Sequence, residues 1–504
     1  MNRLSSFGFT FLFVSFFGSA MAEDFLITRF GAKSDGTTIN TKAIQKAIDS
    51  CSSGGGGRVV VPTGVFMTGT LNLKSHVNLV LEAGSVLRGS PDLNDYQWVD
   101  QPGFGKTYFG ILYTRKAVGV TISGTGEIDG NEAAFFDWTR AKSIEWGGTI
   151  HTRQKEGFRK VESGIGDGPV VPRDRPRQLV IFSECNRLTI RDVSINRAPF
   201  WTLHLADCDD ATIAGIRIHT SPLTPNSDGL DLTSCSNIRV SDCDIRTGDD
   251  AIAITGYAHH FELPGFSGIR RISENITISN CTLQSSSSGI RIGFLDQNTI
   301  RNVLISNVTI TNSNRGIGIF LRDEGSIENV VVTNTVIDTR LFTGDWWGNG
   351  EPIHVSAVRG KESVRLGQIR NITFRDVTCT GESGLLLFGS EESPLDRIRF
   401  ENVSFRWKDS QLASSAGGNI DLRGCMGEMQ LFESDLPGLL IKHASRVYLS
   451  GFSLEWPGTL QPWMTHGVEA TKVQGLIMEQ SVTPASSKEY LPVKTSDVSG
   501  MVIR

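Results

Sequence analysis

The chain has 504 residues and a net charge of −5, with 49 basic and 54 acidic residues interleaved along it. That balance excludes the one-sided basic surface that a nucleic acid or an anionic membrane would select. Its 54 glycines, moderate proline and evenly spread aliphatic residues suit a soluble protein of many short strands and turns.

Residues 1–22 read as an export signal. Arg3 gives a positive start, Phe9 to Phe17 is an apolar run too short to span a bilayer, and Ala20-Met21-Ala22 offers a small-x-small cleavage site. Residues 23–504 are therefore expected to be exported, to the periplasm or outside the cell. No later segment is apolar for long enough to be a transmembrane helix. Thr41 to Ile48 then carries apolar residues at helical spacing ahead of the glycine run Gly54 to Gly57, which predicts a short helix capping the end of a repeat stack.

From about residue 111 one phrase recurs: a polar residue, often Asn, followed by alternating apolar residues. Asn237-Ile-Arg-Val240, Asn275-Ile-Thr-Ile278, Asn302-Val-Leu-Ile305, Asn329-Val-Val-Val332 and Asn371-Ile-Thr-Phe374 are examples. The steps from Asn275 to Asn302 and from Asn302 to Asn329 are both 27 residues, a repeat period. Each unit is strand-sized, with period-two alternation between Gly, Asn, Asp or Ser boundaries. Parallel strands joined by short turns satisfy their backbone groups only by coiling. The expected fold is all-β, one solenoid of parallel strands over 23–504 with a short N-terminal capping helix. Asn-x-Thr triplets at Asn275, Asn307 and Asn371 match glycosylation sites, but a recurring turn position explains their spacing better.

Eight cysteines at irregular spacings form no CxxC pair and no zinc-like set with histidine. They are expected to stack as small apolar residues inside the coil. No metal and no cofactor is implied.

The chemistry concentrates in Asn226-Ser-Asp-Gly-Leu-Asp-Leu232 and Thr247-Gly-Asp-Asp-Ala-Ile-Ala-Ile254. Asp228 and Asp249 lie 21 residues apart, about one coil, so stacking brings Asp228, Asp249 and Asp250 together on one face. Crowded carboxyls raise at least one pKa, and an acid beside a carboxylate is what glycoside cleavage needs. Turn formation and Ca²⁺ binding are the competing uses of such residues.

With these motifs in view, the chain resembles glycoside hydrolase family 28, the polygalacturonase family. The resemblance rests on Phe30-Gly-Ala-Lys-Ser-Asp-Gly-Thr37, Val60-Val-Pro62, Gly124-Thr-Gly-Glu-Ile-Asp-Gly130, Ser194-Ile-Asn-Arg-Ala-Pro-Phe-Trp201, Asn226-Ser-Asp228 and Gly248-Asp-Asp250. It implies a right-handed β-helix and hydrolysis with inversion. Asp249 would be the general acid, and Asp228 and Asp250 would position and deprotonate the water. Two family motifs are replaced. Ser288 stands where the family has histidine, and Gly318 and Phe320 stand where Arg and Lys hold the substrate carboxylate. The target bond is thus expected to involve a neutral or branched sugar in a cell-wall polysaccharide or oligosaccharide.

Asn226, His204, Arg291 and Arg322 are the candidate substrate-binding residues near the aspartates, with His259 and His260 as weaker stand-ins for the lost histidine. Trp346 and Trp347, in a turn-rich insertion, suit either a sugar-stacking platform or loop packing. Insertions at Tyr257 to Arg271 and Leu341 to Pro352 could wall one end of the groove and favour exo action. The partner is a glycan, with no nucleic acid or membrane, and the protein is expected to act as a monomer. A β-helix polysaccharide lyase and a non-catalytic glycan-binding solenoid are the alternatives.

Overall fold

The computed structural model describes residues 24–101, 105–142, 152–155, 157–159, 166–256, 271–294 and 298–504. The export signal, His259 and His260 lie outside the described residues. So does the insertion after Gly256, apart from Arg271.

The repeat phrases become the coils of a right-handed parallel β-helix, whose strands join in one continuous 35-stranded sheet. Register is kept from coil to coil: Ile238 pairs with Ile276, Ile276 with Val303, Val303 with Val330, Val330 with Ile372, and Ile372 with Ile398. All six are buried. Period two sends one residue inward and the next outward, so conserved register turns the alternation into a continuous apolar column. Each such side chain contributes about 1.5–3 kcal/mol when fully buried.

The recurring asparagines turn the corners. Asn275, Asn302, Asn329 and Asn371 hold φ of 57°, 56°, 55° and 58°, a left-handed conformation that Asn tolerates better than most residues. Their amides form a ladder: Nδ2 of Asn302 donates to Asn275 at 3.1 Å, Asn329 to Asn302 at 3.0 Å, and Asn371 to Asn329 at 3.0 Å. The spacing of the Asn-x-Thr triplets thus has a structural cause.

The predicted capping helix spans Thr41–Ser53 and buries Ile44, Ala47, Ile48 and Cys51 over the first strands, Asp24–Leu26 and Gly57–Val61. At the other end, Leu439–Ser450, Val468–Glu479 and Val493–Ser499 continue the same stack. All eight cysteines are buried thiols without disulfides. Cys185, Cys208 and Cys235 stack along one column and donate to backbone carbonyls.

Three segments leave the coil and meet over one face. Phe136–Ala141 pairs antiparallel with Val170–Pro172, and Asn419–Asp421 with Leu431–Glu433. The first segment reaches the Leu341 to Pro352 insertion, where Asp167 accepts from Trp346 Nε1 at 3.0 Å and Arg159 donates to the Trp346 carbonyl at 3.0 Å. It also reaches the third, where Arg153 donates to Asn419 at 2.9 Å and Lys155 to the Ser415 carbonyl at 2.9 Å. The Leu341 to Pro352 insertion is thus tied to partners on another segment, and its Trp347 lines the cavity.

Asn302→Ala removes two ladder hydrogen bonds and the side chain best suited to its left-handed backbone. It should destabilise the protein by about 1–2 kcal/mol, read as a lower urea midpoint with an unchanged slope.

Candidate active site

Seven strands stacked coil on coil carry one register column: His204, Asp231, Ala253, Arg291, Gly318, His354 and Leu386 pair in register, and Arg291 among them lines the cavity. The aspartates stand just before two of these strands, Leu230–Thr233 and Ile252–Thr255. The turns that carry them pack with little room. A Cβ on Gly248 would lie 2.3 Å from the Thr224 carbonyl oxygen, which requires glycine ahead of Asp249 and Asp250.

Stacking brings Asp228, Asp249 and Asp250 together as predicted, with one oxygen of each within 4.8 Å of the others. All three are buried. Asp249 accepts from the Asn226 amide at 3.1 Å and from the Asp250 amide at 3.1 Å. Asp250 accepts from the Ser288 amide at 3.0 Å and from Arg291 Nε. Arg291 Nη2 also stands 3.7 Å from Asp228. On the column Arg291 is flanked by Ala253 and Gly318, and its guanidinium turns back over the aspartates.

Burial and mutual repulsion set the protonation. Burial pushes Asp228 well above the usual carboxylate range, Asp249, Asp231 and Asp250 add to the shift, and Arg291 opposes it. Burial, then Asp250, raises Asp249 to about 6, against the pull of Ser287, Arg291 and the Asn226 amide. Asp231, beneath them, is also pushed well above its ordinary value by burial. The cluster therefore holds protons near neutrality while Arg291 anchors Asp250, which places carboxylic acid and carboxylate side by side.

The other predicted residues divide. Asn226 lines the cavity beside the aspartates, at φ 56°, and its side-chain oxygen accepts from Arg175 at 3.1 Å. Trp347 lines the cavity too. His204 does not reach it: the ring is fully buried, bonded to Thr233 at 3.0 Å and edge-on to Trp201 at 5.1 Å, and burial lowers its pKa to about 3. Trp346 is likewise packed inward and pins its loop to Asp167. Arg322 borders the cavity but is 1% exposed, and it donates to the carbonyls of Leu321, Ser356 and Leu422. Arg291 is an anchor for Asp250 rather than a cation turned toward substrate.

Other site residues went unrecognised in the sequence. Arg315 pairs with Glu351 at 2.6 Å, Glu351 also bonds His354 at 3.0 Å, and Arg423 pairs with Asp421 at 2.7 Å and Asp345 at 2.8 Å. Phe294 borders the cavity at φ +136°, a strained backbone of the kind found at functional sites. Arg175 lies between Phe136 and Phe200, 5.0 Å from each ring, and ties the Pro199 and Pro225 carbonyls to Asn226. Asp231, three residues after Asp228 in the same motif, is the one whose place beside the cluster its sequence position signals.

A coiled scaffold with three clustered carboxyls, Asp228 and Asp249 raised above the usual range, in a walled cavity of about 210 Å³ is the constellation of a glycoside hydrolase. The sequence profile of glycosyl hydrolases family 28 matches residues 51–416, more than two thirds of the chain. The chain belongs to that family. An exo-poly-alpha-D-galacturonosidase of Dickeya chrysanthemi is 33% identical over 45% of this chain and 41% of its own length. The chain spans about half the length of the curated relatives it matches. Among solved structures, a family 28 exopolygalacturonase of Yersinia enterocolitica aligns with a TM-score of 0.63 at 17% identity, covering 96% of this chain and 78% of its own. An exopolygalacturonase of Thermotoga maritima aligns with a TM-score of 0.58 at 24% identity, covering 76% and 87%. These structural likenesses bear on the fold.

An acid with a pKa of about 6 is protonated below that pH and loses its proton above it. With Asp249 as the acid, kcat/KM should fall as pH rises through about 6. Arg291 holds the Asp249 pKa down, so Arg291→Gln should move this limb to higher pH while lowering the maximum. A limb that stays in place would separate Arg291 from the protonation of the cluster.

Proposed function

We propose that the protein hydrolyses O-glycosidic bonds in a pectic or related cell-wall polysaccharide or oligosaccharide. The observation that carries this is the cluster of Asp228, Asp249 and Asp250 in one cavity, with Asp249 poised near pH 6 and Asp250 anchored by Arg291. Asp249 gives its proton to the leaving glycosidic oxygen. Asp250, paired with Arg291 and bonded to the Ser288 amide, receives the proton of the attacking water, and Asp228 keeps that water in place. Asn226 holds Asp249 through its amide and lines the cavity beside it. The interlocked walls support attack at a chain end. Among the described residues no helix is long and apolar enough to cross a membrane, and the signal-like residues 1–22 support export.

A lyase would need an Arg or Lys to remove a proton from carbon. Arg291, the cation nearest the cluster, is committed to Asp250, which disfavours that reading. Asp249→Asn should lower reducing-sugar release from the best substrate in a pectic panel by about 10²–10⁴-fold, with the fold retained. Full activity in this variant would remove Asp249 from the mechanism.

The family resemblance supports inversion, whereas the carboxylate oxygens approach more closely than the roughly 6.5–9.5 Å that separates acid and base in most inverting enzymes. Proton NMR in the first minutes of hydrolysis should show a product of inverted anomeric configuration. A retained configuration would instead make Asp228 or Asp250 a nucleophile.

A further inference from the structure

The two replaced positions of the family's Arg/Lys motif, Gly318 and Phe320, act as one unit. They lie two residues apart on the strand Arg315–Leu321, and the Phe320 ring folds back over the bare Cα of Gly318. A Cβ at position 318 would lie 2.4 and 2.5 Å from two atoms of that ring, so Phe320 in this pose requires glycine there. His354 meets the ring edge-on at 4.9 Å and Arg315 sits 4.7 Å from its centre. An aromatic ring thus fills the place where the family presents two cations.

The pattern recurs around the cavity. Trp347 carries Arg423 at 5.1 Å and Phe294 carries Arg291 at 5.9 Å, while Phe294 and Trp347 meet edge-on at 5.6 Å. Each of these arginines is already held by a carboxylate: Arg315 by Glu351, Arg423 by Asp421 and Asp345, Arg291 by Asp250. Arg322, the remaining arginine at the cavity, is almost wholly covered and bonded to carbonyls. Phe320 is 4% exposed, as recessed as Asp228 at 3% and Asp249 at 6%, and the partly exposed Phe294 and Trp347 line the same cavity.

We infer that Phe320, Phe294 and Trp347 form a subsite for an uncharged sugar, one whose C5 bears hydrogen, methyl, hydroxymethyl or an esterified carboxyl. The inference rests on the glycosidase reading and names its substrate class. Ring faces accept the C–H face of a pyranose. A uronate carboxylate in the same place would lose its water and find every lining arginine paired, which opposes its binding. Gly318 and Phe320 are the specificity-determining pair.

The test titrates Asp249→Asn protein, by calorimetry and by tryptophan fluorescence, with three probes: trigalacturonate, its methyl ester, and a pectic trisaccharide alternating galacturonate with a neutral sugar. Wild-type kcat/KM is measured on the same three. The ester or the mixed trisaccharide should bind at least about tenfold more tightly than the free acid. Trp347→Ala, a change in a partly exposed loop residue, should remove most of that advantage. Gly318→Ala should lower the melting temperature more in the wild-type background than in Phe320→Ala, because the ring is what it strikes hardest, ahead of Arg315 Cδ at 3.0 Å. Equal or tighter binding of trigalacturonate would overturn the inference and turn attention to Lys142. That residue pairs with no carboxylate among the described residues, and the charges of Asp249 and Asp345 act on it. Cleavage with free-acid preference leaves the hydrolase standing without the subsite. Selective binding without cleavage leaves the subsite standing without the hydrolase, and no binding or cleavage of any probe counts against both.

Discussion

Everything in this molecule depends on the parallel register between neighbouring coils. Backbone pairing fixes which residue lies above which, at the roughly 4.8 Å spacing of hydrogen-bonded strands. Once Asp231 pairs with Ala253 and Ala253 with Arg291, the positions of the aspartates and of Arg291 follow. A one-residue slip would turn the aliphatic columns outward and scatter the carboxyls, so the asparagine ladders and the buried core enforce the register that the site requires.

That register creates an electrostatic problem, and the same column resolves it. Asp228, Asp231, Asp249 and Asp250 share a space with little water, and at the usual carboxylate pKa their mutual repulsion would oppose folding. Protonation of some members and one arginine relieve it. Arg291 does so from a strand whose neighbours in the stack carry alanine and glycine at its register. The bare Cα of Gly318 admits the Phe320 ring within its own strand, one coil from the arginine that holds Asp250.

What was legible in the sequence was whatever repeats or clusters locally. The Asn-led phrases disclosed the coil, the 27-residue period its stacking, and the two aspartate motifs their meeting on one face. The helix at Thr41–Ser53 announced itself by apolar spacing. What stayed hidden depends on contacts between segments that have no period. Nothing around Phe136 to Pro172 signals that it will cross to Trp346 and Asn419, and no local rule pairs Arg423 with Asp345. His204 misled for the same reason. Its strand points it toward the groove face, but Trp201 covers it and Thr233 takes its nitrogen. Trp346 and Trp347, adjacent in sequence, face opposite ways because one indole N–H finds the Asp167 carbonyl, which lies 179 residues away.

The walls and the floor also differ in how firmly they are held. The floor is backbone-paired on both sides, and its side chains take their places from the register alone. The walls are three excursions from the coil joined by side-chain and main-chain hydrogen bonds, with buried ion pairs of Arg423 and Arg159 at their junction. Buried charges of this kind add little net stability against an apolar alternative, yet removing one partner is costly, so they specify a single arrangement of the segments. Proton transfer is thereby assigned to the rigid coil, where carboxyl spacing must not vary. Recognition of the sugar is assigned to Trp347 on a wall and Phe294 and Phe320 on the floor. Changes in the excursions can then alter which glycan enters without moving the aspartates that act on it.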